Sequence, residues 1–219
     1  MKLKFLFSLL ALTCMLSPQA QIKKDAVLLG GSIGYSKAKA NTWQQTTKSK
    51  TFIFSPAIGV AIKENLVAGV RINYLKQTQN SDYASTYNNK VDVDNKNYGG
   101  GVFIRGYVPI VNRLYVFGEG EVSYTVIRGT ATQQYDYYSR STAKTKGWST
   151  ALGLTPGVSF GVSKKFQIES GFNSLFNVGF LKSKTISSST TQIQKEELFS
   201  AGVAQNDESL FYVGFRFII

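Results

Sequence analysis

From residue 27 onward the chain alternates apolar residues with small or polar ones, position by position, in segment after segment. Such a period of two puts every second side chain on the same face of an extended strand. A helix would need apolar residues three and four apart, and no long stretch here has that spacing. Eight segments carry the pattern. In the first, Val27, Leu29, Ile33 and Tyr35 oppose Gly30, Ser32, Gly34 and Ser36. The second sets Phe52, Phe54, Ile58, Val60 and Ile62 against Ser55, Ala57, Gly59 and Ala61. Segments about Leu66–Tyr74, Tyr98–Val108, Leu114–Val126, Trp148–Val162, Phe166–Phe180 and Phe211–Ile219 follow.

The connections alternate too. Tight turns at Lys63–Asn65, Pro109–Arg113 and Lys164–Lys165 follow the second, fourth and sixth segments. Long polar connections at roughly 39–49, 77–96, 127–146 and 182–207 follow the others. Short turns at one end and long loops at the other, with an even strand count, are the layout of a transmembrane β-barrel. The expected fold is therefore all-β: an eight-stranded antiparallel up-and-down barrel behind an N-terminal signal peptide. The chain's 219 residues suit one domain, and 15 Phe, 12 Tyr and 20 Gly against 4 Pro favour strands.

Residues 1–20 read as the signal peptide, and residues 21–219 as the barrel domain. Lys2 and Lys4 precede an apolar run from Phe5 to Leu16, and Ser17-Pro18-Gln19-Ala20 forms a small-residue exit. The run is shorter than a helical membrane span, so an N-terminal anchor is the weaker alternative. Cys14, the single cysteine, sits inside this leader among apolar neighbours. The exported chain would carry no thiol and no disulfide.

Two side-chain patterns follow from the register. On the apolar face, each segment has an aromatic at its long-loop end: Tyr35, Phe52, Tyr74, Tyr98, Tyr124, Trp148, Phe180 and Phe211. Rings at that level form the interfacial girdle of an outer-membrane barrel. On the opposite face lie Arg71, Arg105 and Arg216 with Glu119, Glu121 and Glu169. Facing lipid, each charge would cost several kcal/mol, so an interior network of three cations and three anions is expected. Glu119 and Glu121 could alternatively form an acid–base pair, though interior ion pairing explains them with less. Pro56 and Pro156 fall mid-strand, where a bulge at each would accommodate the missing donor.

Taken together, Ser55-Pro56-Ala57-Ile58-Gly59-Val60, Leu66-Val67-Ala68-Gly69-Val70 and Ile104-Arg105-Gly106-Tyr107-Val108-Pro109 carry a family resemblance. The mature chain resembles the small outer-membrane barrels of the OmpA/OmpX-like and OmpW-like type, particularly "porin family" members of Bacteroidota. The final segment is similar to the signal read by the barrel-assembly machinery, with Tyr212, Gly214, Phe217 and Ile219 at its key positions. A terminal Ile departs from the commoner Phe. The resemblance implies an integral outer-membrane protein whose long loops face outside and whose partners are outer-membrane lipid and, during biogenesis, that machinery. It implies no activity, because small barrels include scaffolds, adhesins, channels and enzymes.

The chain has no histidine, which rules out a histidine-based triad or zinc site. No metal site, cofactor or catalytic residue is expected. Gly99-Gly100-Gly101 lacks the helix and lysine of a phosphate loop and opens a strand instead. The formal charge of +12, two units of which belong to the leader, is spread through turns and loop bases, so nucleic acid is not an expected partner. Lys37, Lys39, Lys48 and Lys50 flank the first long loop, and Arg128, Arg140, Lys144 and Lys146 lie in or near the third. These could meet lipopolysaccharide phosphates or simply be solvated. The third loop's Tyr135, Tyr137 and Tyr138 could contact a surface ligand that the sequence does not name, and the fourth, with Ser187 to Thr191, reads as flexible.

Three roles compete. The first is a non-enzymatic barrel with a structural or surface-interaction role and a filled interior, since eight strands leave room only for side chains. The second is a narrow channel for ions or small solutes, favoured by small inward residues on strands one, two and six. The third is a soluble lipocalin-like barrel, which the inward charges oppose.

Overall fold

The computed structural model describes residues 22–83, 89–134, 139–172, 175–188, 193–203 and 211–219, apart from the side chains of Val203 and Phe211. The leader, Tyr135, Tyr137 and Tyr138 lie outside the described residues. The strands are β1 (Val27–Asn41), β2 (Gln45–Lys63), β3 (Leu66–Tyr83), β4 (Lys90–Val111), β5 (Leu114–Gln134), β6 (Arg140–Gly161), β7 (Phe166–Phe172), β8 (Phe176–Ser187), β9 (Ile193–Val203) and β10 (Phe211–Ile218). Their pairings are antiparallel.

Eight of these strands close a ring. β1 to β7 pair in sequence, β7 pairs with β10, and β10 returns to β1 through Leu28↔Ile218 to Ser32↔Gly214. β8 and β9 extend the seventh and eighth staves toward the long-connection end, β8 on β6 and β9 on β8. The expected eight-stranded barrel is therefore present, with its last two staves each in two pieces.

The pleat explains the sheet's two surfaces. Apolar residues of the alternating register point out of the ring and are exposed: Ile72 by 65%, Val102 by 60% and Val213 by 65%. Arg105 and Arg216, in the other register, have no exposed surface. An apolar exterior around a charged interior is the inverse of a soluble barrel, and the lipocalin-like alternative is set aside on that ground.

Three local features differ from expectation. The stretches read as long polar loops are mostly strand: the hairpins β1–β2, β3–β4, β5–β6 and β8–β9 run well past the aromatic positions. Pro56 brings no register shift, because Phe54↔Tyr74 and Ala57↔Arg71 keep one alignment across it. The ladder to β3 only lapses there, and Gly31, at φ 148°, faces the proline on the other side. Its backbone angle suits glycine alone, and an added Cβ would meet Pro56 Cα at 2.8 Å. Pro156 lies where the seventh stave breaks: β6 pairs with β8 up to Leu154 and with β7 from Gly157. Its missing N–H falls at a gap rather than in a ladder.

The short-turn end carries a small apolar core of Leu28, Ala57, Ala61, Val67, Phe103, Tyr107, Tyr115 and Phe117. Ile22, 2% exposed, closes it from below. Its N–H donates to Asn65 Oδ1 at 2.9 Å, and its carbonyl accepts from the Asn65 N–H at 3.0 Å. Asn65 holds the left-handed turn between β2 and β3, with φ 58°.

Candidate functional site

Six charged side chains meet inside the ring. Arg71 comes from β3, Arg105 from β4, Glu119 and Glu121 from β5, Glu169 from β7 and Arg216 from β10. Each sits in the inward register because its neighbours in sequence carry the lipid-facing apolar residues. Arg105 is the hub. Its Nε donates to Glu119 Oε2 at 2.8 Å and its Nη1 to Glu169 Oε2 at 2.5 Å. Arg216 Nε donates to the same Glu169 oxygen at 2.7 Å. Arg71 pairs with Glu119 at 2.8 Å and also with Glu121, whose other oxygen accepts from Asn73 Nδ2 at 3.3 Å. The chain of pairs runs from β3 through β5 and β4 to β7 and β10, across the bore.

Aromatic rings floor this layer. The Arg105 guanidinium lies 4.0 Å from the Phe117 ring centroid, and Arg71 lies 5.2 Å from that of Phe103. Stacking a desolvated guanidinium on a ring adds about 2 kcal/mol of attraction to its ion pairs. Inward glycines leave the room: an added Cβ on Gly101 would meet Glu121 Oε1 at 2.7 Å, and one on Gly214 would meet Glu169 Cγ at 3.1 Å. Gly214, expected from sequence as part of an assembly signal, is therefore packed against the network. Tyr212 borders the space above it, while Phe217 points outward and packs on Phe166 at 5.0 Å between centroids. Ile219 is exposed, and its N–H donates to the Val27 carbonyl at 2.9 Å.

Above the network, toward the long hairpins, lies a cavity of about 340 Å³. Arg71, Glu119, Glu121 and Glu169 form its floor, and Asn73, Asn97, Ser123, Thr125 and Asn177 are among its walls. Its lining mixes these polar groups with apolar ones such as Ile53 and Leu75, and it is wide enough for water or a small solute. Its lower boundary is the ionic layer, and below that lies the apolar core.

The aromatic positions form a ladder on the outer surface. Phe52 stacks edge-on with Tyr74 at 6.3 Å, and Tyr74 lies 5.4 Å from Tyr98. Tyr124 stacks on Trp148 at 6.1 Å, which lies 5.6 Å from Phe180. Tyr35 is exposed one strand over, and the Phe211 side chain lies outside what is described. The closure by Ile22 was not foreseen from sequence. That residue lies before the first alternating segment, so only its contact with the Asn65 turn reveals its place.

The sequence matches no curated protein. Among solved structures, the transport unit of the autotransporter AIDA-I from Escherichia coli is similar at 12% identity, over 96% of this chain and 95% of that one, with a TM-score of 0.40. The profile of the outer membrane protein beta-barrel domain matches residues 6–217. Given that match over nearly its whole length, the chain belongs to the outer-membrane β-barrel domain family.

Proposed function

We propose that this protein is a non-enzymatic outer-membrane barrel with a structural or surface-interaction role, its bore closed to solutes. One observation carries the reading: an ion-paired layer crosses the ring directly above a packed apolar core. An ion entering from the cavity meets paired guanidiniums and carboxylates, then buried side chains from which water is excluded. Glu119 and Glu121, the alternative acid and base, are held by arginines, which suits structure better than proton transfer.

In this reading residues 1–20 are removed on export, the assembly machinery reads Tyr212, Gly214, Phe217 and Ile219, and the long hairpins face outside. The aromatic positions then lie at the lipid interface. Cysteines placed at Asp82, exposed on the β3–β4 hairpin, and at Lys164, exposed in the β6–β7 turn, test the orientation. A membrane-impermeant maleimide should label the first on intact cells and leave the second unlabelled. The reverse result would invert the topology.

The cavity favours a second reading, a narrow channel gated by rearrangement of the ionic layer. Planar-bilayer recording decides between them. Refolded protein that is heat-modifiable on a gel yet electrically silent supports the closed barrel. Steady unit currents make the channel primary.

A further inference from the structure

The outward register of the long hairpins holds an arrangement that the fold itself does not need. Lys76 on β3 stands directly opposite Lys96 on β4, Lys96 opposite Arg128 on β5, and Arg128 opposite Lys146 on β6. Lys146 then stands opposite Lys184 on β8, and Lys184 opposite Lys195 on β9. Six cations thus occupy six adjacent strands in one unbroken cross-strand row. The row continues the exposed, lipid-facing position of Phe52, the partner of Lys76 on β2. On β1 and β2 the neighbouring rows repeat the motif, with Lys37 opposite Lys50 and Lys39 opposite Lys48.

Directly opposed like charges are unfavourable, and their Cβ atoms stand only about 5 Å apart. That is well inside the screening length of about 8 Å at physiological salt, so the repulsion is felt. Among the described residues none of the six is in an ion pair. The carboxylates nearest on that face, Asp94 and Glu197, sit in other rows, and Glu197 is held by Lys182 at 2.6 Å. Unbroken repetition of an unfavourable contact points to a partner outside the chain that carries the opposite charge.

The position of the row names the partner. On β3 to β6 and on β8 the cation falls two or four residues beyond the girdle aromatic, toward the long-hairpin end: Tyr74 then Lys76, Lys96 then Tyr98, Tyr124 then Arg128, Lys146 then Trp148, Phe180 then Lys184. Rings at headgroup level followed at once by cations place the charges where lipid phosphates lie. We propose that this row is a binding belt for the phosphate groups of the outer-leaflet glycolipid, each phosphate bridging neighbouring strands and relieving their repulsion. The assignment rests on the outward placement of the long hairpins, but binding in detergent does not depend on orientation, so the two can fail separately.

The test uses the mature chain refolded in neutral detergent. Diphosphoryl lipid A is titrated against wild type and against a variant with Lys76→Gln, Lys96→Gln, Arg128→Gln and Lys146→Gln, with occupancy read by native mass spectrometry. Each cation near an anionic lipid surface contributes about fivefold in affinity, so the variant should bind at least about tenfold more weakly. Added salt should weaken wild-type binding. A variant with Lys63, Lys164 and Lys165 changed to Gln, at the short-turn end, should bind as wild type does. Without lipid, the fourfold variant should melt no lower than wild type, because it has lost only repulsion. Equal binding by the fourfold variant, equal binding of dephosphorylated lipid, or a lower melting temperature without lipid would each overturn the proposal. Millimolar inorganic phosphate that occupies the row and displaces the lipid fully would make it a free-anion site and overturn the lipid assignment.

Discussion

Arg105 has no solvent contact, yet its charge is shared between Glu119 and Glu169 and its guanidinium lies over the Phe117 ring. Removing that charge leaves two buried carboxylates competing for Arg71 and Arg216. Arg105→Met, which keeps much of the volume, should therefore lower unfolding free energy by about 3–5 kcal/mol. Arg105→Lys should fall between, since one ammonium cannot reproduce the fork that reaches both partners. Urea unfolding in detergent micelles, followed through Trp43 and Trp148, checks both. A loss under 1 kcal/mol for Arg105→Met would show the carboxylates to be satisfied without it. Glycines give a second residue-scale contrast. A Cβ at Gly157 would meet the Phe117 ring and, at 2.6 Å, the Ser170 carbonyl, whereas one at Gly118 would meet nothing within 4 Å. Gly157→Ala should cost about 1–3 kcal/mol by overpacking. Gly118→Ala should be neutral or slightly stabilising, because it restricts the unfolded chain.

At the scale of elements, the β2–β3 turn and the upper hairpins behave differently. Asn65 both adopts a left-handed angle and binds Ile22. Asn65→Gly keeps the angle and loses the clip, at a cost of about 1 kcal/mol, while Asn65→Val loses both and should cost more. Thermal melts of the two variants order these costs. The β3–β4 hairpin can be cut back. Thr78 and Asp94 are directly opposite, so an Asn-Gly link between them in place of 79–93 makes a two-residue hairpin. The shortened chain should still refold with a heat-dependent gel shift, since it keeps the interior layer and the girdle. The same contrast explains what the sequence made legible. Where one face meets lipid, as in Phe52 to Ile62 or Leu66 to Tyr74, alternation marks the strand and its faces. Past the outward aromatic positions both faces are polar, as in Gln77-Thr78-Gln79-Asn80, so these strands look like loops. Parity put the six charged residues on one face. It could not say that Arg105 meets Glu169 across the bore, because that contact depends on how the ring closes and staggers.

For the whole molecule, the proposed closed barrel implies a bore blocked twice in series. The upper block is ionic, centred on Arg105 and Glu169, and the lower is apolar, packed from Phe103, Tyr107 and Phe117 and closed by Ile22. Blocks in series mean that removing one leaves the other in control. Arg105→Ser with Glu169→Ser takes out one cation and one anion, so the balance of charge is kept and Arg216 turns to Glu119, which stands 4.0 Å away, but the apolar layer below should keep the barrel silent. Phe117→Ala with deletion of residues 22–26 opens the lower layer alone and should be equally silent, because the ion pairs of Arg71, Arg105 and Arg216 still span the bore. Combining the two sets should give steady unit currents, and their ion preference should follow the charges that remain at Arg71, Glu119, Glu121 and Arg216. Planar-bilayer recording of the three variants, each first shown to be heat-modifiable, reads this directly. Currents from either partial variant would mean that a single layer closes the bore. Silence from the combined variant would mean that the staves have collapsed inward to fill the space, as narrow eight-stranded rings can when their interior side chains are taken away.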